Sequence, residues 1–223
     1  MGMQWEELGP EGLAFFGRIC ASVSHELKNS LALINENAGL MQDLLVLVDR
    51  GQPLDPQRVG TSMERIARHV ERANTVLGNL NRFAHLTDEP LRELDLGVET
   101  ALALRLHQRL ASQAQVELVL ESGADGVRLA TMPFLLGNAL HLCIRSAIAV
   151  AQGGRVAVTV RSTDQGGEVL FAGLPSDAQL PQGEHTQALL AALSASCTMG
   201  SDGMSLTLKH LSQETLTTQG GAP

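Results

Sequence analysis

The chain has 223 residues, of which 44% are hydrophobic and 18% charged, so it is long enough for one large or two small domains with apolar cores. A formal net charge of −8 argues against a basic surface for nucleic acid or for an anionic membrane. The sequence shows neither an apolar run near the roughly 20 residues of a membrane span nor the basic-then-apolar order of a signal peptide. We therefore expect a soluble cytoplasmic protein that binds neither nucleic acid nor membrane.

The first predicted element is a long helix from about Gly12 to Asp49. Its apolar residues recur at alternating spacings of four and three, and the small or polar residues Ser30 and Asn37 continue the same stripe. The apolar members of this stripe are Phe16, Cys20, Val23, Leu27, Ile34, Met41, Leu44 and Val48. This pattern predicts a helix that packs along one face over most of its length.

A loop that contains Gly51 and Pro53 separates this helix from a second one, predicted from about Pro56 to His85. Asp55 suits the N-cap, and proline suits the first helical position. The second stripe has uninterrupted four-three spacing through Val59, Met63, Ile66, Val70, Ala73, Leu77, Leu80 and Ala84. One hairpin cannot close a core with two stripes, whereas two copies can form a four-helix bundle. We expect a homodimer; the alternative is a monomer whose stripe is covered by the second domain.

The pattern changes after the predicted boundary at Thr87–Pro90, where helices and short alternating strands begin to mix. Gly166-Gly167 is predicted to form a hairpin turn, and Gly200–Gly203 another turn. The predicted helices are Leu94–Ala114, Met132–Ala151 and His185–Ala195, and the predicted strands are Val116–Glu121, Arg155–Val160, Glu168–Phe171 and Met204–Leu208.

These elements predict an α+β fold, in which a two-helix hairpin is followed by a small α/β sandwich with helices on one face of a mixed sheet. We place the hairpin domain at residues 1–88 and the sandwich at residues 89–215. The Thr- and Gly-rich residues 216–223 form a predicted loose tail.

The candidate chemistry lies in the middle of the first helix. At about 100° per residue, His25 points roughly 175° away from the mean direction of the stripe, toward solvent. An exposed imidazole nitrogen can attack a phosphoryl group, and the neighbouring Glu26 carboxylate can accept the ring proton. Asn29 lies one turn further on the same face, where it can hydrogen-bond a phosphoryl oxygen or a water. Lys28 and Arg18 supply positive charge for the phosphoryl group.

The run His25-Glu26-Leu27-Lys28-Asn29, with Leu31 and Ile34 after it, resembles the H box of bacterial sensor histidine kinases. The resemblance implies that His25 is the phosphoacceptor, that Glu26 assists proton transfer and that Asn29 supports phosphatase action. It extends to the hairpin, which is similar to that family's dimerisation and phosphotransfer domain. Ser30 departs from the family, which often has a proline there, so we expect a straighter helix.

The second half resembles the ATP-binding domain of the same family only in the order of its elements. Where the N box presents asparagine, this chain has Arg145 or Ser146, and Asn138 and His141 lie too early on the helix to replace it. No Asp-x-Gly-x-Gly motif follows the strand that ends at Phe171, and no Gly-x-Gly loop is placed to hold phosphates. The resemblance therefore implies a degenerate domain without ATP binding.

This combination is similar to the dimeric histidine phosphotransferases of bacterial phosphorelays. It implies that response-regulator receiver domains and an upstream hybrid kinase are the partners. No cofactor is expected on this chain, because each receiver supplies its own Mg²⁺ and aspartate. Two alternatives stay open: an ATP-dependent sensor histidine kinase with diverged boxes, and a non-catalytic scaffold or pseudokinase that binds a response regulator.

The other titratable side chains are expected to be structural or solvated. Arg72 belongs to a set of arginines on the second helix that we expect to pair with Glu64 and Glu71 or to help dock an acidic receiver. The three cysteines are expected to be buried, reduced thiols. The remaining residues in this group are His69, His107, His141, His185, His210, Arg65, Arg68 and Arg82.

Overall fold

The N-terminal part of the chain forms two long antiparallel helices, and the rest forms a mixed sheet with helices packed on it. This computed structural model describes residues 2–121, 126–151, 153–175 and 177–212, with side chains from Leu8 onward. The predicted tail at residues 216–223 lies outside the described residues. The helices are α1 (Gly2–Asp49), α2 (Pro56–Ala84), α3 (Leu96–Gln113), α4 (Pro133–Ala151) and α5 (Glu184–Ala192), with a 3₁₀ turn at His85–Thr87.

The described chain divides into two compact units. One contains Ile19–Arg82, and the other combines the residues up to Arg18 with those from Phe83 onward. Both long helices run through the division, which therefore differs from the predicted boundary at residue 88. The physical reason is packing: Phe15 meets Phe83 edge to face, with ring centroids 5.3 Å apart, and both aromatic rings belong to the unit that contains the sheet.

Helix α1 begins at Gly2, about ten residues earlier than predicted, and Pro10 lies inside it. A proline removes one backbone donor, which tertiary packing can offset. Here Leu8 and Gly12 are buried, and a Cβ on Gly12 would lie 3.3 Å from the Phe134 ring. The close packing of this first segment explains why the helix continues through Pro10.

The buried stripe of α1 is partly the predicted one. Val23, Ser30, Asn37 and Leu44 are buried as expected, at heptad spacing. At the start of the helix, however, Phe15 and Ile19 are buried, whereas the predicted Phe16 and Cys20 are half-buried. The prediction was thus one residue out of phase there, because an apolar residue stands at both positions of each pair and only packing chooses between them.

The apolar stripe of α2 is only partly buried within one chain. Ile66 and Ala73 are half-buried, while Met63, Val70 and Leu77 are 57%, 43% and 49% exposed. The start of α2 is as predicted, since the Asp55 Oδ1 accepts hydrogen bonds from the backbone N–H groups of Gln57 (3.0 Å) and Arg58 (3.3 Å). One hairpin therefore buries only part of its apolar surface.

The second unit contains a five-stranded mixed sheet in the order β2-β4-β5-β7-β6, which confirms the α+β prediction. Strand β2 is parallel to β4, and the other neighbours are antiparallel. Its core joins alternate strand residues, such as Val156 and Val158 of β4, to α4 residues such as Leu140 and Ile144. The strands are β1 (Arg92–Asp95), β2 (Glu117–Leu120), β3 (Arg128–Thr131), β4 (Arg155–Thr163), β5 (Gly166–Ala172), β6 (Ala195–Gly200) and β7 (Gly203–Lys209).

Three strands were not predicted. Strands β1 and β3 form a two-stranded sheet, and β6 is an edge strand of the five-stranded sheet. None has the alternating β-branched or aromatic pattern that marks a strand in sequence, and pairing in the folded chain decides their conformation. The predicted turn at Gly166-Gly167 was also wrong: the turn is Asp164-Gln165, and both glycines begin β5, where a Cβ on Gly166 would clash with the Leu208 carbonyl oxygen. The turn predicted at Gly200–Gly203 is confirmed.

Two helical segments, Leu8–Asp49 and Pro133–Ala151, are long and apolar enough to cross a membrane by length and composition alone. This corrects the expectation that no such segment exists. Helix α4 owes its apolar composition to its place in the core of the sandwich, where residues such as Leu136 and Ile148 are buried. By itself, such a composition is weak evidence for a membrane span.

Candidate functional site

His25 lies on the exposed side of α1, in the helical unit. Val23 and Ser30 face inward on this part of the helix, and the geometry of the helix then turns His25 and Asn29 outward. Lys28 is also exposed. Among the residues that the structure describes, none forms a hydrogen bond or ion pair with the His25 imidazole. The predicted exposure of the imidazole is therefore observed, and its chemical role stays a prediction.

Glu26 is held by an arginine from the other helix of the hairpin. The Arg72 guanidinium donates a hydrogen bond to the Glu26 Oε1 at 2.9 Å, and the two side chains are 63% and 21% exposed. Arg72 thus pairs with a carboxylate of α1, whereas the predicted partners of the arginine set were Glu64 and Glu71 or an acidic receiver. It fixes the carboxylate beside His25 through a charge-assisted hydrogen bond. Sequence reasoning missed this pair because its members are separated by a complete hairpin.

Arg18 belongs to the other unit, where its guanidinium lies 3.7 Å from the Glu11 carboxylate. The two residues are seven apart and occupy the same side of the helix. The helical unit alone thus brings together His25, Glu26, Lys28 and Asn29 with Arg72. The phosphoryl-stabilising roles predicted for Arg18 and Lys28 stay predictions.

The polar side chains of α4 face other protein groups. The Asn138 amide nitrogen lies 3.3 Å from the His185 Nε2, and the Ser146 hydroxyl donates to the Gln179 carbonyl oxygen at 2.9 Å. Arg145 is exposed. Among the described residues, no group of three or more His, Cys, Asp or Glu side chains could hold a metal ion.

His107 and His141 form a buried pair between α3 and α4. The His107 Nδ1 donates to the Ala103 carbonyl oxygen at 2.7 Å, and its Nε2 lies 2.6 Å from the His141 Nδ1. Burial lowers the pKa of His107 to about 4 and that of His141 to about 2, with the positive charge of Arg145 acting in the same direction. Both rings are neutral near pH 7, so the His141 Nδ1 must donate to His107.

These hydrogen bonds also determine the protonation state of the His141 Nε2. The His141 Nε2 then carries a lone pair, and it has no hydrogen-bond partner among the described residues. The ring packs against Phe15, with centroids 4.8 Å apart. His141 is therefore a structural side chain, as predicted, although no sequence pattern indicated that His107 is its partner.

Comparisons with known proteins place the chain beside histidine kinases. No protein-family model matches the sequence, and no curated protein matches it. The histidine kinase AdeS of Acinetobacter baumannii is 14% identical, with a TM-score of 0.43 over 84% of this chain and 98% of that chain. A bacterial phosphotransferase is 12% identical, with a TM-score of 0.43 over 86% of this chain and 95% of that chain.

A third solved structure is the histidine kinase ThkA in complex with the response regulator TrrA. It is 14% identical, with a TM-score of 0.41 over 92% of this chain and 64% of that chain. At these identities and TM-scores the likeness carries no conclusion about function by itself. These three solved structures, to which the chain is similar, are two histidine kinases and a bacterial phosphotransferase.

Proposed function

We propose that the protein is a histidine phosphotransferase of a two-component phosphorelay, which exchanges a phosphoryl group between His25 and receiver-domain aspartates. The observation that carries the proposal is the exposed His25 beside Glu26, whose carboxylate is fixed by Arg72 across the hairpin. An exposed imidazole on a helix gives a partner in-line access to its nitrogen. A fixed neighbouring carboxylate gives the ring proton an acceptor.

In the forward step, a lone pair on a His25 ring nitrogen attacks the phosphorus of a receiver's aspartyl phosphate. The N–P bond forms as the P–O bond to the aspartate breaks, and the aspartate leaves as a carboxylate. Glu26 hydrogen-bonds the proton on the other ring nitrogen as positive charge develops on the ring. Lys28 offers charge to the phosphoryl oxygens, and Asn29 offers a hydrogen bond. The reverse step passes the group to a second receiver.

As part of this proposal, the protein does not use ATP. Two observations support it: Asn138 is 1% exposed and faces His185, and the Ser146 hydroxyl is bonded to a backbone carbonyl. The Asn138 amide nitrogen and the Ser146 hydroxyl are thus engaged by other groups of the protein. A calorimetric titration with ATP and Mg²⁺ is expected to give no saturable heat at millimolar nucleotide. Saturable micromolar binding, or label transferred from ATP to the chain alone, would instead favour the diverged kinase.

The central experiment follows phosphoryl transfer from a phosphorylated receiver to the full chain. Acid-labile label is expected on the wild-type protein and none on His25→Ala, with folding unchanged because His25 is exposed. Glu26→Gln should slow transfer by about 10²-fold or more, as expected for a lost acid–base group. Asn29→Ala should act mainly on hydrolysis of the phosphohistidine. His69→Gln, a half-buried histidine on the second helix, is the control and should accept label normally.

The result that contradicts the proposal is label on His25→Ala at the wild-type rate. If the folded wild-type chain binds a receiver but never accepts label, the alternative of a non-catalytic scaffold is favoured. Circular dichroism of each variant separates loss of the reaction from loss of structure.

A further inference from the structure

Helix α2 carries three arginines at heptad spacing, Arg58, Arg65 and Arg72. Arg72 shows where this side of the helix lies, because its guanidinium crosses to α1 and donates a hydrogen bond to the Glu26 Oε1 at 2.9 Å. Residues seven apart share a side of a helix, so Arg58 and Arg65 also lie along α1. Both are exposed, and within the described part of the chain neither guanidinium has an ion-pair partner.

An open cavity of about 390 Å³ lies between the two helices beside Arg58 and Arg65. Its volume falls within the range of about 300–1,000 Å³ that is usual for sites of small molecules. On the α1 side the cavity is lined by Leu40 and Leu44, which form an apolar wall. At the level of these two arginines, the wall therefore presents hydrocarbon where Arg72 finds a carboxylate.

Ser62 lines the same cavity between the two arginines, one turn after Arg58 and one turn before Arg65. It is only 7% exposed, and its hydroxyl has no hydrogen-bond partner among the residues that the structure describes. The neighbouring Thr61 differs, since its hydroxyl donates to the Gln57 carbonyl oxygen at 2.9 Å. A buried polar group without a partner costs free energy, which a ligand with an acceptor oxygen would recover.

One acidic residue, Asp55, also lines the cavity. Its Oδ1 accepts hydrogen bonds from the backbone N–H groups of Gln57 (3.0 Å) and Arg58 (3.3 Å), so this carboxylate is engaged as the N-cap of α2. Two guanidiniums against one carboxylate leave the lining with a net positive charge. Guanidiniums bind phosphate oxygens through charge-assisted hydrogen bonds, and a hydroxyl can donate one more.

We propose that this cavity is a binding site for a small phosphate monoester with an apolar substituent. The phosphate oxygens accept hydrogen bonds from Arg58, Arg65 and Ser62, and the substituent packs against the apolar wall. At about 100° per residue, Arg58 lies about 140° around α2 from the exposed Met63, so the apolar row expected to meet a second copy points elsewhere. The proposal does not depend on the phosphotransfer reaction, because the two sites share no residue.

The experiment is a nuclear magnetic resonance titration of the isotope-labelled full chain at constant ionic strength, with inorganic phosphate and phenyl phosphate as probes. Both should give saturable shifts of the backbone amide signals of residues 57–65. Phenyl phosphate should bind about tenfold more tightly, because its ring buries apolar surface against the leucines.

Arg65→Gln should weaken the binding of phenyl phosphate by about tenfold, since it removes a charge-assisted hydrogen bond. Ser62→Ala should weaken it by about threefold, as expected for the loss of a neutral hydrogen bond. Arg68→Gln is the matched control: it removes the same charge from an exposed position of α2 outside the cavity and should bind as the wild type does. Circular dichroism verifies that each variant is folded.

Three results overturn the proposal. The first is that neither probe gives saturable shifts at the residues that line the cavity. The second is that Arg65→Gln and Arg68→Gln weaken binding equally, which would indicate attraction by net charge alone. The third is that phenyl phosphate binds no more tightly than inorganic phosphate.

Discussion

At the residue scale, His25 and His141 show that the same type of side chain can be reactive or structural, depending on whether it lies on the exposed or the buried side of its helix. His25 is exposed on α1, whereas His141 is 3% exposed on α4 and bonded to His107. A buried imidazole that is already engaged with protein groups cannot meet a partner, and its charged form is disfavoured by desolvation. The exposed histidine is therefore the candidate nucleophile, and the buried pair affects stability.

The buried pair predicts a dependence of stability on pH. Both folded-state pKa values, about 4 for His107 and about 2 for His141, lie below the ordinary value of 6.5. At a pH below 6.5 but above the folded-state pKa values, the unfolded chain binds protons that the folded chain does not. The contribution of the two histidines to the free energy of unfolding is therefore complete above pH 6.5 and is lost as the pH falls. The loss should approach about 1.4 kcal/mol per pH unit for each histidine.

Urea unfolding between pH 7.5 and pH 5 measures this slope before most carboxylates titrate. The double variant His107→Leu/His141→Leu removes both partners of the hydrogen bond and should flatten the curve. His25→Gln, which removes an exposed histidine, should leave the slope unchanged. Equal slopes for the wild type and the double variant would contradict the assignment.

At the element scale, polar residues within an apolar seam weaken the hairpin. Asn37 is 5% exposed in the seam of α1. Its amide nitrogen donates to the Leu33 carbonyl oxygen at 2.7 Å, but its Oδ1 has no hydrogen-bond partner among the described residues. A buried asparagine in a helical seam lowers stability while it specifies which residues face each other. Asn37 thus limits the stability of this hairpin.

Replacing Asn37 with leucine should raise the free energy of unfolding by about 1–3 kcal/mol, since it removes an unsatisfied buried oxygen. Thermal and urea unfolding measure the change. Asn35→Leu alters an exposed asparagine on the same helix and should have little effect. A loss of stability in Asn37→Leu would show that the amide makes a contact on which the seam depends.

At the scale of the whole molecule, the exposed apolar rows of the hairpin need a second surface. Met63, Val70 and Leu77 form one row at heptad spacing on α2, and Leu31 and Leu45 are 55% and 58% exposed on α1. A second copy of the hairpin presents the same rows, so two copies can bury both in a four-helix bundle. We therefore expect a homodimer, as the sequence pattern predicted.

Val70→Glu tests this assembly. Val70 is 43% exposed within one chain, so the charge should not unfold the hairpin, but it should separate the two copies by placing an unpaired charge in their interface. Light scattering should give a dimer mass for the wild type and a monomer mass for the variant. Thr75→Glu, at an exposed position on α2, should remain dimeric. A monomeric wild-type protein would contradict the bundle.

The sequence predicted much of the fold because its signals are local. Heptad spacing and the Asp55 N-cap identified the two long helices, and alternation identified β4. The strands that it missed depend on pairing with distant segments, as β1 pairs with β3. The candidate site divides in the same way, since the periodicity of one helix predicted the exposure of His25, whereas the pairing of Glu26 with Arg72 depends on the hairpin.

The sequence by itself determined which residues of α1 share a side of the helix, because a helix of fixed pitch converts spacing into direction. Only the tertiary structure decided that Phe15 rather than Phe16 is buried and that His107 meets His141. The burial of Phe15 rather than Phe16 depends on a shift of one residue, and His107 and His141 lie on two different helices that no local pattern connects. Close packing of the folded chain selects one arrangement among those that the pattern allows.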